Sequence, residues 1–246
     1  MTRNRKRKLA AVIVGVVLVA VPLVGVYGRA WWVPVAHRLL GSETVETVVE
    51  KYGFDARSRL ATHFDAAGVT YPPDRALLLA IKDTAQLELW ATSDNSEYRL
   101  IHVYPILKLS GELGPKLREG DRQMPEGIYA IEGLNPNSSY HLSMKLDYPN
   151  AYDRTRAAED GRTSPGSNIF IHGKALSVGC LAMGDPAIEE LFVLAADTAL
   201  DRMLCIIVPR DPRQTGWDEV TADAPAWTID LYAKIEKKLT ELSVPE

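Results

Sequence analysis

Residues 9–28, LAAVIVGVVLVAVPLVGVYG, place 20 positions in a row without one charged side chain. As a helix such a run is about 30 Å long, which is the thickness of a bilayer's hydrocarbon core. Residues 1–8 hold Arg3, Arg5, Lys6, Arg7 and Lys8 with no acid, and a basic flank of this kind stays on the cytoplasmic side. Arg29 ends the apolar run, and Trp31 and Trp32 follow at the level of an interfacial aromatic belt. A cleaved signal peptide would have a shorter apolar stretch and a small-residue cleavage site. Gly28-Arg29-Ala30 is a poor match to such a site. The sequence therefore predicts a basic cytoplasmic segment (1–8), a transmembrane anchor (9–28) and a folded remainder outside the inner membrane, in the periplasm. Cleavage would release that remainder but leave it exported.

The exported part is acidic. Five of the 28 basic residues lie in the first eight positions, which leaves 23 against 32 acids, a net of −9. Binding to a phosphate backbone needs a basic face, so nucleic acid is not an expected partner. Helical spacing is read in SETVETVVEKYG and ARSRLATHFDAAG, each with a glycine stop, within a helical linker over 29–73. RALLLAIKD, AQLELWAT, YRLIHVYPI, IYAIEGL, YHLSMKL, NIFIH and RMLCIIVP read as strands. Two long polar loops, 110–127 and YPNAYDRTRAAEDGRTSPGS, interrupt them, and NPNSS reads as a turn. Asp185-Pro186 reads as an N-cap and first helical position, and PAWTIDLYAKIEKKLTELS as a final amphipathic helix. The expected fold is mostly β (α+β) with peripheral helices: a domain over 74–210 and a C-terminal loop and helix over 211–246.

Little in the chain is built for a cofactor. Histidines 37, 63, 102, 141 and 172 are scattered without paired ligand spacing, and no glycine-rich phosphate loop or G-x-S-x-G elbow is present. No metal and no cofactor are expected. The two cysteines remain. Cys205 lies inside MLCIIV, where cysteine behaves as a small core hydrophobe, although an oxidising compartment would permit a bond to Cys180. Cys180 has small, polar surroundings in IHGKALSVGC, eight positions after His172. Strand alternation puts His172 on the face of Phe170, opposite Ile169 and Ile171. Gly173 lets the chain turn, and Gly179 frees the backbone to aim the Gly179 and Cys180 amides at one point. A thiol nucleophile needs a base, a group to hold that base and N–H donors for an oxyanion. Spacing alone leaves open whether His172 and Cys180 are coupled.

The pattern IFIHG…SVGC.AM.D…IEELF resembles the catalytic motif of the L,D-transpeptidase (YkuD-type) family. Upstream, SGELGPKLREGDRQMPEGIYAIEGLNPNSSYHLSMKLDYPNAYDR resembles its YafK-like branch, so the resemblance covers roughly residues 70–210. It implies a β-sandwich-like YkuD-type domain acting on peptidoglycan stem peptides at diaminopimelate, with Cys180 as nucleophile and His172 as general base. By the same resemblance the Gly173 carbonyl orients the imidazole, and amides near Gly179 and Cys180 form the oxyanion hole. Pro125-Glu126-Gly127 matches the family's Thr-Pro-x-Gly turn with Met124 in the Thr position. The common pattern has a longer His–Cys insertion and a second histidine where Val178 stands. The YafK-like branch shares both departures and is associated with hydrolysis that releases a peptidoglycan-linked lipoprotein. Ser177 is expected to orient the cysteine loop or satisfy a turn. Arg118, Asp121, His141, Tyr148, Asn150, Tyr152, Asp153 and Arg154 are weaker candidates for reading the stem peptide. The alternatives are an idle peptidoglycan-binding scaffold and a cysteine protease acting on proteins.

Overall fold

The computed structural model describes residues 41–94, 97–177, 179–214, 216–217 and 224–242, with seven further positions between 24 and 35. The expected anchor 9–28 lies outside the described residues except at positions 24, 25 and 28. Among the described residues no helix is long and apolar enough to cross a membrane.

Helix α1 (Val45–Ala67) begins with Thr44 and Thr47 satisfying each other's backbone N–H groups, and stops at Gly68 with φ 64°. It runs straight through Gly53, where a second stop was expected. The reason is packing. Val48, Ala56, Leu60 and Phe64 hold one apolar stripe across the glycine and are fully buried. That burial outweighs the roughly 1 kcal/mol a helical glycine costs. The stripe joins the main core, so α1 is a wall of the domain rather than a linker.

Strands β1 (Arg75–Ile81), β2 (Gln86–Thr92) and β3 (Arg99–Pro105) form an antiparallel meander. β4 (Gly127–Ser138) and β5 (His141–Leu146) follow, then helix α2 (Ala151–Glu159), β6 (Phe170–His172) and β7 (Leu181–Ala182). Helix α3 (Asp185–Thr198), β8 (Met203–Val208) and helix α4 (Thr228–Leu239) follow among the described residues. All eight strands form one mixed sheet in the order β3-β2-β1-β8-β4-β5-β6-β7.

β1 and β8 pair in parallel at its centre and are buried on both faces, which is why they read as unbroken apolar runs. Leu78, Ala80, Cys205 and Ile207 face the core shared with α1 and α3, while Leu77, Leu79, Ile206 and Val208 face Leu231, Tyr232 and Ile235 of α4. Each fully buried side chain of this size contributes about 1.5–3 kcal/mol. The expected mostly β (α+β) domain with peripheral helices is thus a mixed one, a single eight-stranded sheet rather than a sandwich, because helices cover both faces of its central strands.

Three local expectations also change. The NPNSS turn is shorter than expected: β4 continues to Ser138 through register shifts at Ile131/Gly133 and Asn135/Ser138, which accommodate Pro136 in the strand. The second polar loop contains α2, nucleated by a reciprocal cap between Asn150 and Asp153. Helix α3 is capped by Gly184, and Asp185 is its first residue.

Candidate active site

β6 and β7 are parallel neighbours at the sheet edge, with His172 level with Ala182, and residues 173–180 make the return between them. The return needs Gly173 for space. A Cβ there would lie 2.7 Å from the Tyr140 carbonyl oxygen and 2.8 Å from Asp185 Oδ1. It needs Gly179 for conformation, at φ 87°.

A cavity of about 300 Å³ opens onto both Cys180 and His172, with Tyr140, Ser143, Asn168 and Phe170 among its other walls. Ile169 and Ile171 point into the core on the opposite face. His172 is 3% exposed, and its Nδ1 lies 2.7 Å from the Gly173 carbonyl oxygen. A carbonyl only accepts, so Nδ1 carries the proton and Nε2 holds the lone pair. The Tyr140 ring covers the imidazole with centroids 4.8 Å apart.

Cys180 Sγ donates to the Asn168 carbonyl at 3.8 Å. Burial raises the thiol's pKa, opposed in part by the Phe170 backbone and the Lys116 charge. Burial lowers that of His172, and its bond to Gly173 offsets this only partly. Both shifts favour neutral forms, so the resting pair is thiol and imidazole rather than thiolate and imidazolium. Alkylation of Cys180 by iodoacetamide is therefore expected to rise about tenfold per pH unit from pH 6 to 8 and to keep climbing at pH 9, where a free thiol of pKa about 8.5 already levels off. A plateau already reached by pH 6 would show a preformed ion pair. Cys205 will not interfere: it is a free thiol, fully buried in β8, with its pKa pushed up to about 12.

The two amides expected to bind an oxyanion have other partners in this structure. Gly179 N–H donates to Ser110 Oγ, and Cys180 N–H donates to Ser177 Oγ at 3.0 Å. Ser177 Oγ in turn donates to the Cys180 carbonyl. Ser177 thus ties the cysteine turn at both ends.

The remaining candidates divide. Arg118, Asp121, His141 and Tyr152 do not line the Cys180 cavity. Asp121 folds its own loop, accepting from Leu117, Arg118 and Gln123 amides and from Lys116. His141 Nε2 pairs with Glu189 at 2.8 Å behind Gly173. Tyr152 donates to the Trp227 carbonyl beneath α4. Asn150 and Asp153 cap α2. Tyr148, Asn150 and Arg154 line a neighbouring cavity instead. Sequence reading missed Tyr140, Ser143, Asn168 and Ser110. Ser143 lies opposite His172 because β5 and β6 are antiparallel neighbours, a register that the long connection between them does not announce. Among the described residues no group of three His, Cys, Asp or Glu side chains is arranged to hold a metal.

The family profile of YkuD, the L,D-transpeptidase catalytic domain, matches residues 83–208. YafK of Escherichia coli strain K12 is 39% identical over 113 residues, 45% of this chain and 43% of that protein. The chain therefore matches less than half the length of this curated relative. Among solved structures, Pgp2, the helical cell shape determining protein of Campylobacter jejuni, aligns at 21% identity and a TM-score of 0.46 over 56% of this chain and 48% of that one. Bd1075 of Bdellovibrio bacteriovorus aligns at 19% identity and a TM-score of 0.41 over 68% and 57%.

Proposed function

The chain belongs to the YkuD family of L,D-transpeptidase catalytic domains, and on that premise we propose that it is an exported cysteine acyl-transfer enzyme acting on peptidoglycan stem peptides at diaminopimelate. The observation that carries this reading is the pairing of Cys180 and His172 in one cavity, with the Gly173 carbonyl fixing Nδ1–H and leaving Nε2 to accept a proton.

In the first step Nε2 takes the thiol proton as sulfur attacks the amide carbonyl, and the S–C bond forms. Collapse of the tetrahedral intermediate breaks the C–N bond, and the imidazolium returns the proton to the departing amine. The Gly179 and Cys180 amides supply the oxyanion donors by exchanging their serine hydroxyls for the developing charge. A bond to an anionic oxygen is about twice as strong as one to a neutral hydroxyl, so the exchange favours the transition state over the ground state. The thioester is then resolved by water. Hydrolysis is favoured over amine acceptance by the eight-residue His–Cys spacing and by Val178 in place of a second histidine, as in the YafK-like branch. A peptidoglycan-linked lipoprotein is the proposed released partner, and residues 9–28 hold the enzyme at the periplasmic face of the inner membrane.

The test is mass spectrometry of sacculi carrying bound lipoprotein, incubated with the enzyme or its Cys180→Ala variant. Release of lipoprotein or shortened stems by the intact enzyme alone is the expected result. New cross-links or amine-exchanged muropeptides would make it a transpeptidase. Unchanged sacculi with both proteins would leave an idle scaffold.

A further inference from the structure

Three serine hydroxyls around Cys180 are committed. Ser110 Oγ accepts the Gly179 N–H, Ser177 Oγ accepts the Cys180 N–H, and Ser138 Oγ accepts the Tyr140 N–H. Ser143 differs from them. It is 3% exposed and lines the same cavity as Cys180 and His172, yet its side chain has no hydrogen-bond partner among the described residues. Buried hydroxyls are normally hydrogen-bonded, and one at a cavity wall finds its partner in water or a ligand.

The sheet sets where that partner stands. Ser143 and His172 are directly opposite in the β5–β6 pair. Gly173 N–H bonds to the Leu142 carbonyl at 3.1 Å, so the ladder bonds flank this pair rather than join it. In an antiparallel sheet such pairs have the closer side chains, with Cα atoms about 4.5 Å apart. The Ser143 hydroxyl and the His172 imidazole therefore share one face of the sheet and one cavity. Among the described residues no lysine, arginine or carboxylate lines that cavity to compete for the hydroxyl.

We propose that Ser143 is the water-positioning residue of thioester hydrolysis, its hydroxyl holding the attacking water beside His172. The inference rests on the acyl-transfer reading and adds to it the group that makes water the acceptor. One hydrogen of the water goes to His172 Nε2 as its oxygen attacks the thioester carbon and the C–O bond forms. The other is held by Ser143 Oγ. Collapse breaks the C–S bond, the imidazolium returns its proton to sulfur, and the stem peptide leaves with a free carboxyl group. Acylation needs no water, so Ser143 serves the second step alone, whereas His172 serves both.

The test is pre-steady-state kinetics of the full-length chain in detergent, with a stem peptide activated at diaminopimelate as its para-nitrophenyl ester. The first nitrophenolate released reports acylation, the steady rate reports deacylation, and the mass of the quenched protein counts acyl-enzyme. Ser143→Ala should acylate within about twofold of wild type but deacylate about tenfold more slowly, the loss expected when one hydrogen bond in the transition state goes unmade. Its acyl-enzyme should accumulate. Both steps slowed alike would make Ser143 a support for the imidazole and overturn the proposal. Deacylation at the wild-type rate would overturn it too. Wild-type turnover no faster than that of Cys180→Ala would instead end the acyl-transfer reading, and this inference with it.

Discussion

Replacing His172 by alanine is expected to lower kcat/KM for the proposed stem-peptide cleavage about a thousandfold, within the range seen on removing a general base. Cys180→Ala should abolish turnover. The size of the His172 effect follows from the protonation states of the resting site. Burial raises the thiol's pKa and lowers the imidazole's, so the nucleophile enters each cycle protonated. Without a base within reach, the thiol must ionise in a buried site that disfavours its anion. The sign of the pH dependence follows too. Activity needs neutral His172, whose pKa lies below its ordinary 6.5. The rate should therefore hold through neutral pH and fall only as pH drops below that value. His172→Ala should lose this acid limb along with its rate.

Free imidazole separates chemistry from folding. It should restore part of the activity of His172→Ala and none of that of Cys180→Ala. Equal rates for His172→Ala and wild type, with Cys180→Ala inactive, would give the proton to another group. Melting temperatures measured beside the rates would reveal a fold lost with the imidazole, since His172 is buried under Tyr140.

How much of this was legible in the sequence depended on how local the governing physics is. The central strands β1 and β8 were readable because burial on two faces writes a continuous apolar run. The facing of His172 was readable from strand alternation alone. Gly53 misled because a glycine stops a helix only where the apolar stripe also stops, and this one continues to Phe64. Helix α2 went unread because YPNAYDRTRAAED is polar on most faces. Its one local signal, Asn150 three residues before Asp153, is a reciprocal cap that uses Asp in place of the usual Glu. The links between Ser110 and Gly179, and between Tyr140 and His172, span 69 and 32 positions. Their partners are chosen by tertiary approach, for which a single sequence carries no periodicity. The oxyanion amides show the same limit: Gly179 signals a special backbone but not that a distant serine already meets it.

The turn Pro125-Glu126-Gly127 matches a family element, and its middle residue should matter for a reason the motif does not state. Glu126 is 1% exposed. Its Oε1 accepts from Lys82 Nζ at 2.7 Å and from Gly114 N–H at 2.8 Å, and its Oε2 accepts from Tyr232 Oη at 2.5 Å. One carboxylate thus joins the end of β1, the 110–127 loop and α4. Lys82 is almost as deeply buried, and burial already pulls its pKa below the usual lysine value.

Glu126→Ala would leave that ammonium without its counter-charge, at an expected cost of about 3–5 kcal/mol. For a domain of this size the loss corresponds to a melting temperature lower by roughly 10 °C. Lys82→Met in the same chain should recover most of it, because removing both charges together restores an apolar site. The pH dependence has a definite sign. A lysine whose folded pKa lies below its unfolded value binds fewer protons when folded, so stability gained from deprotonation grows as pH rises. The Glu126→Ala deficit should therefore shrink toward pH 10. A deficit that stays constant with pH, and is not relieved by Lys82→Met, would assign the loss to the Tyr232 and Gly114 bonds instead. Activity should fail before the fold does. The loop that Glu126 holds carries Ser110, bound to the Gly179 amide, and Gln123, whose carbonyl oxygen would lie 3.4 Å from a Cβ at Gly179. Releasing the loop loosens the backbone that aims Cys180, so turnover in Glu126→Ala should decline at temperatures where the domain is still folded.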